Sequence, residues 1–380
     1  MKRYKFKNIK TKCKVLFITP SLDSGGAENI LFNVVERMKK DNIVLISLTN
    51  DGFYGNKLRE RGFKIYSLKM KKNIFLFLKI FEIFKIISKH KPEIVHTWLY
   101  HANLIGGLIA RIIGIKKIIW SIHHDYEEPN FLIALEMKIL ILLSYFLPQK
   151  VVFCSLSSKF NHINKGYKES SSIVIKNGVS LDIFKPNKIY RRKIRSRLKV
   201  SEDCLLIGNI ARYHPIKDHD NLLKALFLLK MYKVNFKCVL VGLGLTNNNL
   251  LLSQKINSLN LNNEVILYGR SFEIYKILNG FDVKVLSSKK EAFPISLLEA
   301  MAVEIPCIST NVGDAKEIIG DSGWITNICD PLSLALKLKE ISEKRTLLNQ
   351  KSLLTRKRVK SNFSLETMNL NYKKLYDSFK

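Results

Sequence analysis

The chain alternates short apolar, β-branched runs with segments of helical period, and it does so twice along its 380 residues. The first set of runs stands at Lys14–Thr19, Ile43–Thr49, Lys64–Leu68, Glu93–Trp98, Lys117–Ile122, Val151–Ser155 and Ser172–Ile175. Segments with apolar residues at steps of three and four separate most of them: Glu28–Lys39, the stretch from Asn73, Ala102–Ile113 and Phe131–Phe146. Strands that are apolar throughout and joined by helical crossovers require a parallel sheet covered on both faces. The alternation stops at residues 178–203, a polar and strongly charged stretch with Pro186, read as a linker and the first helix after it. It restarts at Cys204–Ile210, Phe236–Val241, Glu264–Tyr268, Val283–Leu286, Cys307–Thr310 and Gly323–Thr326. The expected fold is α/β, with two doubly wound, Rossmann-like domains. Such sheets take ligands outside the carboxyl ends of their strands. Ser364–Phe379 closes the chain as an amphipathic helix.

The formal net charge is +31, and both halves are basic: residues 1–190 carry 32 Lys and Arg against 14 Asp and Glu, the remainder 31 against 18. Seven of the first fourteen residues are Lys or Arg. Such a field draws nucleic acid, anionic lipid headgroups and phosphorylated substrates alike. Its even spread, with no aromatic-studded recognition module, speaks against nucleic acid as the partner. The six cysteines are scattered without a C-x-x-C pair and read as small buried hydrophobes of a reducing compartment, not as a disulfide frame or zinc site. The apolar run Val15–Ile18 is too short for a signal peptide. Asn73–Lys89 is interrupted by Lys79, Glu82 and Lys85, and Phe131–Leu147 by Glu136 and Lys138, so neither spans a bilayer. Both read as core helices. The first, flanked by Lys69, Lys71, Lys72, Lys89 and Lys91, could instead lie on a membrane surface.

Motifs gather at the expected strand ends. The first strand runs into Pro20-Ser21-Leu22-Asp23-Ser24-Gly25-Gly26-Ala27-Glu28, where two glycines allow a tight turn and close approach of another group. G-x-G-x-x-G is absent, so a nicotinamide cofactor is not indicated. Trp120-Ser121-Ile122-His123-His124 ends the fifth strand and offers a paired histidine for proton or hydroxyl contacts. His96 and His101 come from another strand end, which leaves a metal site without a sensible ligand set. Arg212 and Lys217 flank a Pro-containing turn and could reach one diphosphate, the first as a planar fork and the second as a point charge. Val241-Gly242-Leu243-Gly244 and Tyr268-Gly269-Arg270 end the next two strands. In EAFPISLLEAMA, Pro294 fits the first turn of a helix, with Glu291 in the loop before it and Glu299 on its second turn. The helix N-terminus between the carboxylates is an anion site. That arrangement suits a diphosphate flanked by hydroxyl-rich sugars, as in a nucleotide sugar.

In this order the residues resemble glycosyltransferase family 4, the retaining GT-B glycosyltransferases, over nearly the whole chain. The likeness runs through the GGAE turn at 25–28, His123, SLSSKF at 155–160 and Asn177-Gly178-Val179 with Asp182 and Phe184. It continues through Arg212, Lys217, the Val-Gly-x-Gly turn and Glu291-x7-Glu299, and ends in the Tyr-containing final helix. Ala292 stands where the family commonly has Gly, and Ser180 follows Val179 in place of Asp.

The resemblance implies two Rossmann-like domains facing a central cleft, an acceptor-side domain at 1–190 and a nucleotide-sugar domain at 191–360, with a helix at 361–380 crossing back to the first. It implies that Arg212 and Lys217 neutralise the donor diphosphate, Glu291 faces the transferred sugar and Glu299 holds the ribose. Backbone around Phe293, Pro294 and Ile295 would meet phosphate or sugar oxygens, and Gly269 belongs to the same donor-binding set. Gly25 and Gly26 would approach the donor phosphates and His123 the sugar. The implied activity is transfer of a sugar from a UDP- or GDP-linked donor, with retention, to a glycan or lipid-linked acceptor in surface-polysaccharide synthesis. No metal or other cofactor is implied. The expected setting is cytoplasmic, at the anionic inner face of the cytoplasmic membrane. A sugar-nucleotide epimerase of the same fold and a basic nucleic-acid binder are the other readings.

Overall fold

The computed structural model describes residues 14–70, 76–125 and 131–379. The basic run before Lys14, Cys13, Lys71, Lys72 and the start of the Asn73 stretch lie outside them. The chain forms two compact units. One contains the residues up to Asn177 together with those from Leu365 onward; the other is Gly178–Ser364.

The first unit holds strands β1 (Val15–Thr19), β2 (Ile43–Ser47), β3 (Lys64–Ser67), β4 (Ile94–Trp98), β5 (Lys117–Ile122), β6 (Lys150–Phe153) and β7 (Ser172–Val174). They form a parallel sheet in the order β3-β2-β1-β4-β5-β6-β7. Every residue of β1 and β4 is buried, because helices cover both faces. Leu16 and Ile18 join one core with Ile83, Ile86 and Ile87 of the helix Leu76–His90 and Ala110 of the helix Tyr100–Ile112. Phe17 points to the other face and meets Tyr376 edge-on, ring centroids 6.4 Å apart. Each such fully buried side chain contributes about 1.5–3 kcal/mol relative to exposure.

The second unit repeats the plan with β8 (Leu205–Ile210), β9 (Phe236–Val241), β10 (Val265–Gly269), β11 (Val283–Leu286), β12 (Cys307–Thr310) and β13 (Trp324–Thr326). Their order is β10-β9-β8-β11-β12-β13, again parallel. In each sheet the strand order reverses beside its first strand, between β1 and β4 and between β8 and β11. A doubly wound sheet opens a crevice at such a point.

The expected boundary at 190 lies inside the second unit. Residues 178–187 are tied down there: Arg356 donates from Nη1 to the Phe184 carbonyl (2.8 Å) and from Nη2 to the Leu181 carbonyl (3.1 Å), and Val179 N–H donates to Phe363 O (3.0 Å). The helix Lys188–Arg197 follows, held by Arg191 and Arg195 on the two oxygens of Asp282 at 2.8 and 3.0 Å. The polarity of this stretch therefore reflects ion pairing within a domain rather than a free linker. The expected terminal segment 361–380 also divides differently: the helix Thr346–Asn362 belongs to the second unit and Leu365–Asp377 to the first.

A helix at Gly52–Glu60 escapes the sequence pattern because glycines and polar residues blur its period. Gly52, at φ +58°, seats it against the backbone of Asp23, whose Cα would lie 2.5 Å from a Cβ at that position. Cys154, Cys204, Cys238 and Cys307 are buried as expected, whereas Cys329 is exposed.

Candidate active site

In the second unit the switch point is furnished by the loops after β8 and β11. Lys217, in a short helical turn after β8, donates from Nζ to Oε1 of Glu291 at 2.5 Å. Ser288 Oγ donates to the same oxygen at 2.7 Å. The two loops are stitched further by Lys289 N–H to Ile216 O (2.8 Å) and Ser287 Oγ to Lys217 O (3.0 Å). Sequence spacing could not show that Lys217 and Glu291 meet directly. Arg212, at the end of β8, is exposed.

The helix after Glu291 is Ile295–Ala302. Pro294 precedes it as the cap residue, at φ −74° and ψ 92°, and not within its first turn: an extended ψ turns the chain into the helix one residue later than expected. Of the first-turn N–H groups, that of Leu297 donates to Pro294 O at 3.0 Å, while those before it have no acceptor inside the helix and carry its partial positive charge. Phe293 is buried and packs edge-on against Phe363 at 5.9 Å. The loop is buttressed by Gly313, at φ +50°, where a Cβ would stand 2.3 Å from Glu291 O; the next N–H, of Asp314, donates to Ala292 O at 3.1 Å. This is the physical reason for a glycine in Val312-Gly313-Asp314.

Glu299 sits on the second turn, half-buried, and burial raises its carboxyl to about 7 against the opposing pull of the Lys284 charge. Lys284, on β11, is fully buried and donates to Ser296 Oγ at 3.0 Å. Burial lowers its ammonium to about 8. Sequence reasoning missed this residue, since a lysine in an apolar run passes for a strand interruption. Gly269 ends β10 at φ +76°, with its N–H donating to Leu245 O and its carbonyl accepting from Gly242 N–H, both at 2.9 Å. Both its backbone groups are thus engaged within the chain. A Cβ on Gly242 would stand 1.8 Å from Ala211 O, so this glycine lets the β9 and β8 loops touch.

In the first unit, Gly25 caps the helix Gly26–Val35 in an extended conformation, φ −128°, and Gly26 is the first helical residue. Neither needs a left-handed turn. Gly25 instead leaves room for Glu28, whose Oε2 would lie 2.1 Å from a Cβ there. Burial raises the Glu28 carboxyl, with Asp23 adding to the effect and hydrogen bonds opposing it.

His123, one residue beyond β5, stacks on Trp98, the last residue of β4, with centroids 4.3 Å apart and planes 15° from parallel. The pairing follows from register, because Trp98 lies opposite Ser121. Both ring nitrogens of His123 are buried without a well-formed hydrogen bond, with Asn177 beside them. Burial, then the neighbouring His124, pushes the ring down to about 3, so it is neutral at any working pH. His124 turns elsewhere, edge-on to Tyr100 at 4.3 Å.

Beneath Trp98, the final helix supplies Tyr372, stacked at 6.0 Å, and Tyr376, whose Oη lies 2.9 Å from His96 Nδ1. Ser121 Oγ holds the other nitrogen of His96 at 2.8 Å, and His101 lies 2.6 Å from Glu136. Among the described residues no three His, Cys, Asp or Glu side chains converge as a metal site would require.

Two doubly wound parallel domains, each with its strand order reversing beside its first strand, have the GT-B fold. Family models cover most of the chain: "Glycosyltransferase Family 4" over residues 24–183 and "Glycosyl transferases group 1" over 190–358. The chain belongs to glycosyltransferase family 4. It is 24% identical to the capsular polysaccharide biosynthesis glycosyltransferase CapM of Staphylococcus aureus, across 91% of this chain and 92% of that protein. It is also 24% identical to the UDP-Gal:alpha-D-GlcNAc-diphosphoundecaprenol alpha-1,3-galactosyltransferase of Escherichia coli, across 70% and 71%. Its fold matches the crystal structure of Anabaena Alr3699/HepE in complex with UDP-glucose, with TM-score 0.86 and 20% identity, covering 96% of this chain and 100% of that one.

Proposed function

We propose that this glycosyltransferase moves a sugar from a nucleotide diphosphate donor, UDP- or GDP-linked, to a glycan or lipid-linked acceptor of surface-polysaccharide synthesis, with retention at the anomeric carbon. The observation that carries the reading is the Lys217–Glu291 pair at the head of the helix Ile295–Ala302. A cation and a carboxylate meet there within one unit, just before the start of a helix. In this reading Lys217 and Arg212 take the diphosphate and stabilise its charge as the bond to the sugar breaks. The N–H groups of Phe293 and Ile295, on either side of the Pro294 cap, reach phosphate or sugar oxygens. Glu291, released from Lys217 as the phosphates arrive, accepts hydrogen bonds from the transferred sugar, and Glu299 accepts them from the ribose. Gly269 shapes the floor beneath. Gly25 and Gly26 serve the donor phosphates. His123, a neutral imidazole, serves the sugar by hydrogen bonding and not by charge. The cations and the helix neutralise the leaving group, so the reaction calls for no metal and no other cofactor.

The test is transfer. The purified protein with a panel of UDP- and GDP-sugars and a lipid-diphosphate-linked saccharide acceptor should give an extended saccharide of retained configuration, in EDTA as well as without it. Formation of a new nucleotide sugar with no acceptor consumed would instead identify an epimerase.

A peripheral position at an anionic membrane is supported by the helix Phe131–Leu143 and the turn after it. Met137 and Leu140 are buried, but Phe131 (81% exposed), Leu135, Ile139, Leu142 (63%) and Phe146 (74%) form one exposed stripe at steps of three and four. The core-helix expectation therefore holds for one face only. Arg111, Lys138 and Lys168 fringe this region, the first and last through their contacts to Phe146 O and Tyr145 O. Such a face suits the interface of a bilayer. No helix among the described residues is long and apolar enough to cross a membrane. Wild type should float with vesicles containing anionic phospholipid at low salt, and Leu142→Ser/Phe146→Ser should remain in the soluble fraction. Flotation unaffected by the double substitution would remove this surface from consideration.

A further inference from the structure

A histidine side chain turns about two bonds, and rotamer preference holds the second only loosely. The ring plane is ordinarily fixed by a hydrogen bond on one of its nitrogens. Neither nitrogen of His123 has a well-formed bond of that kind among the described residues, although both are buried and Asn177 lies beside them. The ring has a flat neighbour instead: Trp98, 4.3 Å away and 15° from parallel. Such a contact sets the imidazole plane only if the indole is itself immobile, and Trp98 is held on several sides. Its backbone occupies the last register position of β4, opposite Ser121. Tyr372 of the final helix stacks with it at 6.0 Å, and His96 meets it at 5.1 Å. His96 is in turn pinned through both its nitrogens, by Tyr376 and by Ser121. The indole N–H donates to Ala27 O at 3.2 Å, one residue beyond the Gly25-Gly26 turn. The backbone just after Trp98 is strained. Leu99 takes φ 70° and ψ 165°, a region otherwise left to glycine, with its N–H donating to Ser121 O at 2.8 Å. Strain of this kind persists where the surrounding packing over-determines it, and it gathers at working sites.

We propose that Trp98 is a positioning residue: its indole sets the plane of the His123 imidazole and ties that ring to the Gly25-Gly26 turn, so that the two groups the first unit offers the donor keep one spacing. The inference rests on the reading that His123 serves the transferred sugar. A neutral imidazole acts through the direction of one N–H and one lone pair. Tilting its plane therefore misdirects the hydrogen bond, where a point charge would tolerate the error.

The experiment is a double-substitution cycle on kcat in the full chain, with a UDP- or GDP-sugar that the wild type turns over. Rates are taken per folded protein, at a temperature well below the unfolding midpoint of every variant. Trp98→Leu should lower kcat roughly tenfold to a hundredfold, the scale of a misplaced reacting group, with the donor KM little changed. Trp98→Phe keeps a flat face and should recover most of that loss. Trp98→Met stands in if Trp98→Leu does not fold. His123→Ala lowers kcat by itself, and adding Trp98→Leu to it should cost little more, because the indole then has no ring to aim. The full Trp98→Leu loss recurring in the His123→Ala background would overturn the proposal and leave the tryptophan a packing role alone. Proton–nitrogen NMR of histidine-labelled protein without donor checks the orientation directly. The His123 ring signals, identified by their loss in His123→Ala, should form one sharp set in wild type and Trp98→Phe, and should broaden or split in Trp98→Leu. Signals unchanged in Trp98→Leu also overturn the proposal, whether or not a donor is turned over. Wild-type kcat in His123→Ala would overturn the sugar-facing reading of His123 instead, while the NMR would still decide whether the indole orients the ring.

Discussion

Lys217→Ala is expected to cost donor binding about 1.5–3 kcal/mol, a loss of more than tenfold in affinity, and to lower kcat as well. The structure makes the size of this effect depend on Glu291. In the free protein the ammonium rests 2.5 Å from Oε1 of that carboxylate, and both groups are largely sheltered from water. Removing the lysine deprives the diphosphate of a cation and leaves Glu291 facing the incoming phosphates unneutralised. Glu291→Gln alone should weaken catalysis more than nucleotide binding, because it frees Lys217 for the phosphates while weakening the contact to the sugar. The double variant should be less damaged in UDP or GDP binding than the two single losses added, since it removes the repulsion that Lys217→Ala creates. Calorimetry on the four proteins measures this directly. Strict additivity would mean that the pair does not act as a unit.

Trp98→Ala is expected to destabilise the first unit by about 3–5 kcal/mol, the range for deleting a large buried aromatic. Trp98 has no exposed surface and stacks with both His123 and Tyr372. Its Nε1 also donates to Ala27 O at 3.2 Å, tying the end of β4 to the start of the helix after the Gly25-Gly26 turn. The loss should appear as a lower denaturation midpoint in urea, measured by circular dichroism. Trp98→Phe keeps a ring for His123 and should recover most of it. A midpoint unchanged in Trp98→Ala would contradict the packing described for the final helix.

Strands were the most legible part of the chain, because both sheets are covered on two faces and their residues are mostly apolar and β-branched. Lys117–Ile122, Phe236–Val241, Val283–Leu286 and Cys307–Thr310 could be read to the residue. The loops furnishing the second unit's site were also visible, since Gly, Pro and charged residues cluster after β8 and β11. Pairings across the fold were not. Lys217 on Glu291, Trp98 on His123 and Tyr376 on His96 join residues far apart in sequence, and only strand order and register bring them together. The division at residue 177 was hidden for a related reason. Sequence marks polarity, and the guanidinium groups of Arg191 and Arg195 make residues 178–197 polar while they, together with Arg356 from outside the stretch, bind it into a domain. Lys284 was illegible because a single cation in an apolar run carries no hint of what lies above it.

The helix Leu365–Asp377 belongs to the unit that begins the chain. During synthesis the ribosome completes the sheet β1–β7 early, then makes all of Gly178–Ser364, and only afterwards releases Tyr372 and Tyr376. Through that interval His96 and Trp98 have no covering helix, and an apolar face of the nascent first unit stays open. The second unit, continuous in sequence, can close first. The order of birth along the polypeptide is therefore not the order of completion, and the first unit reaches its finished form last.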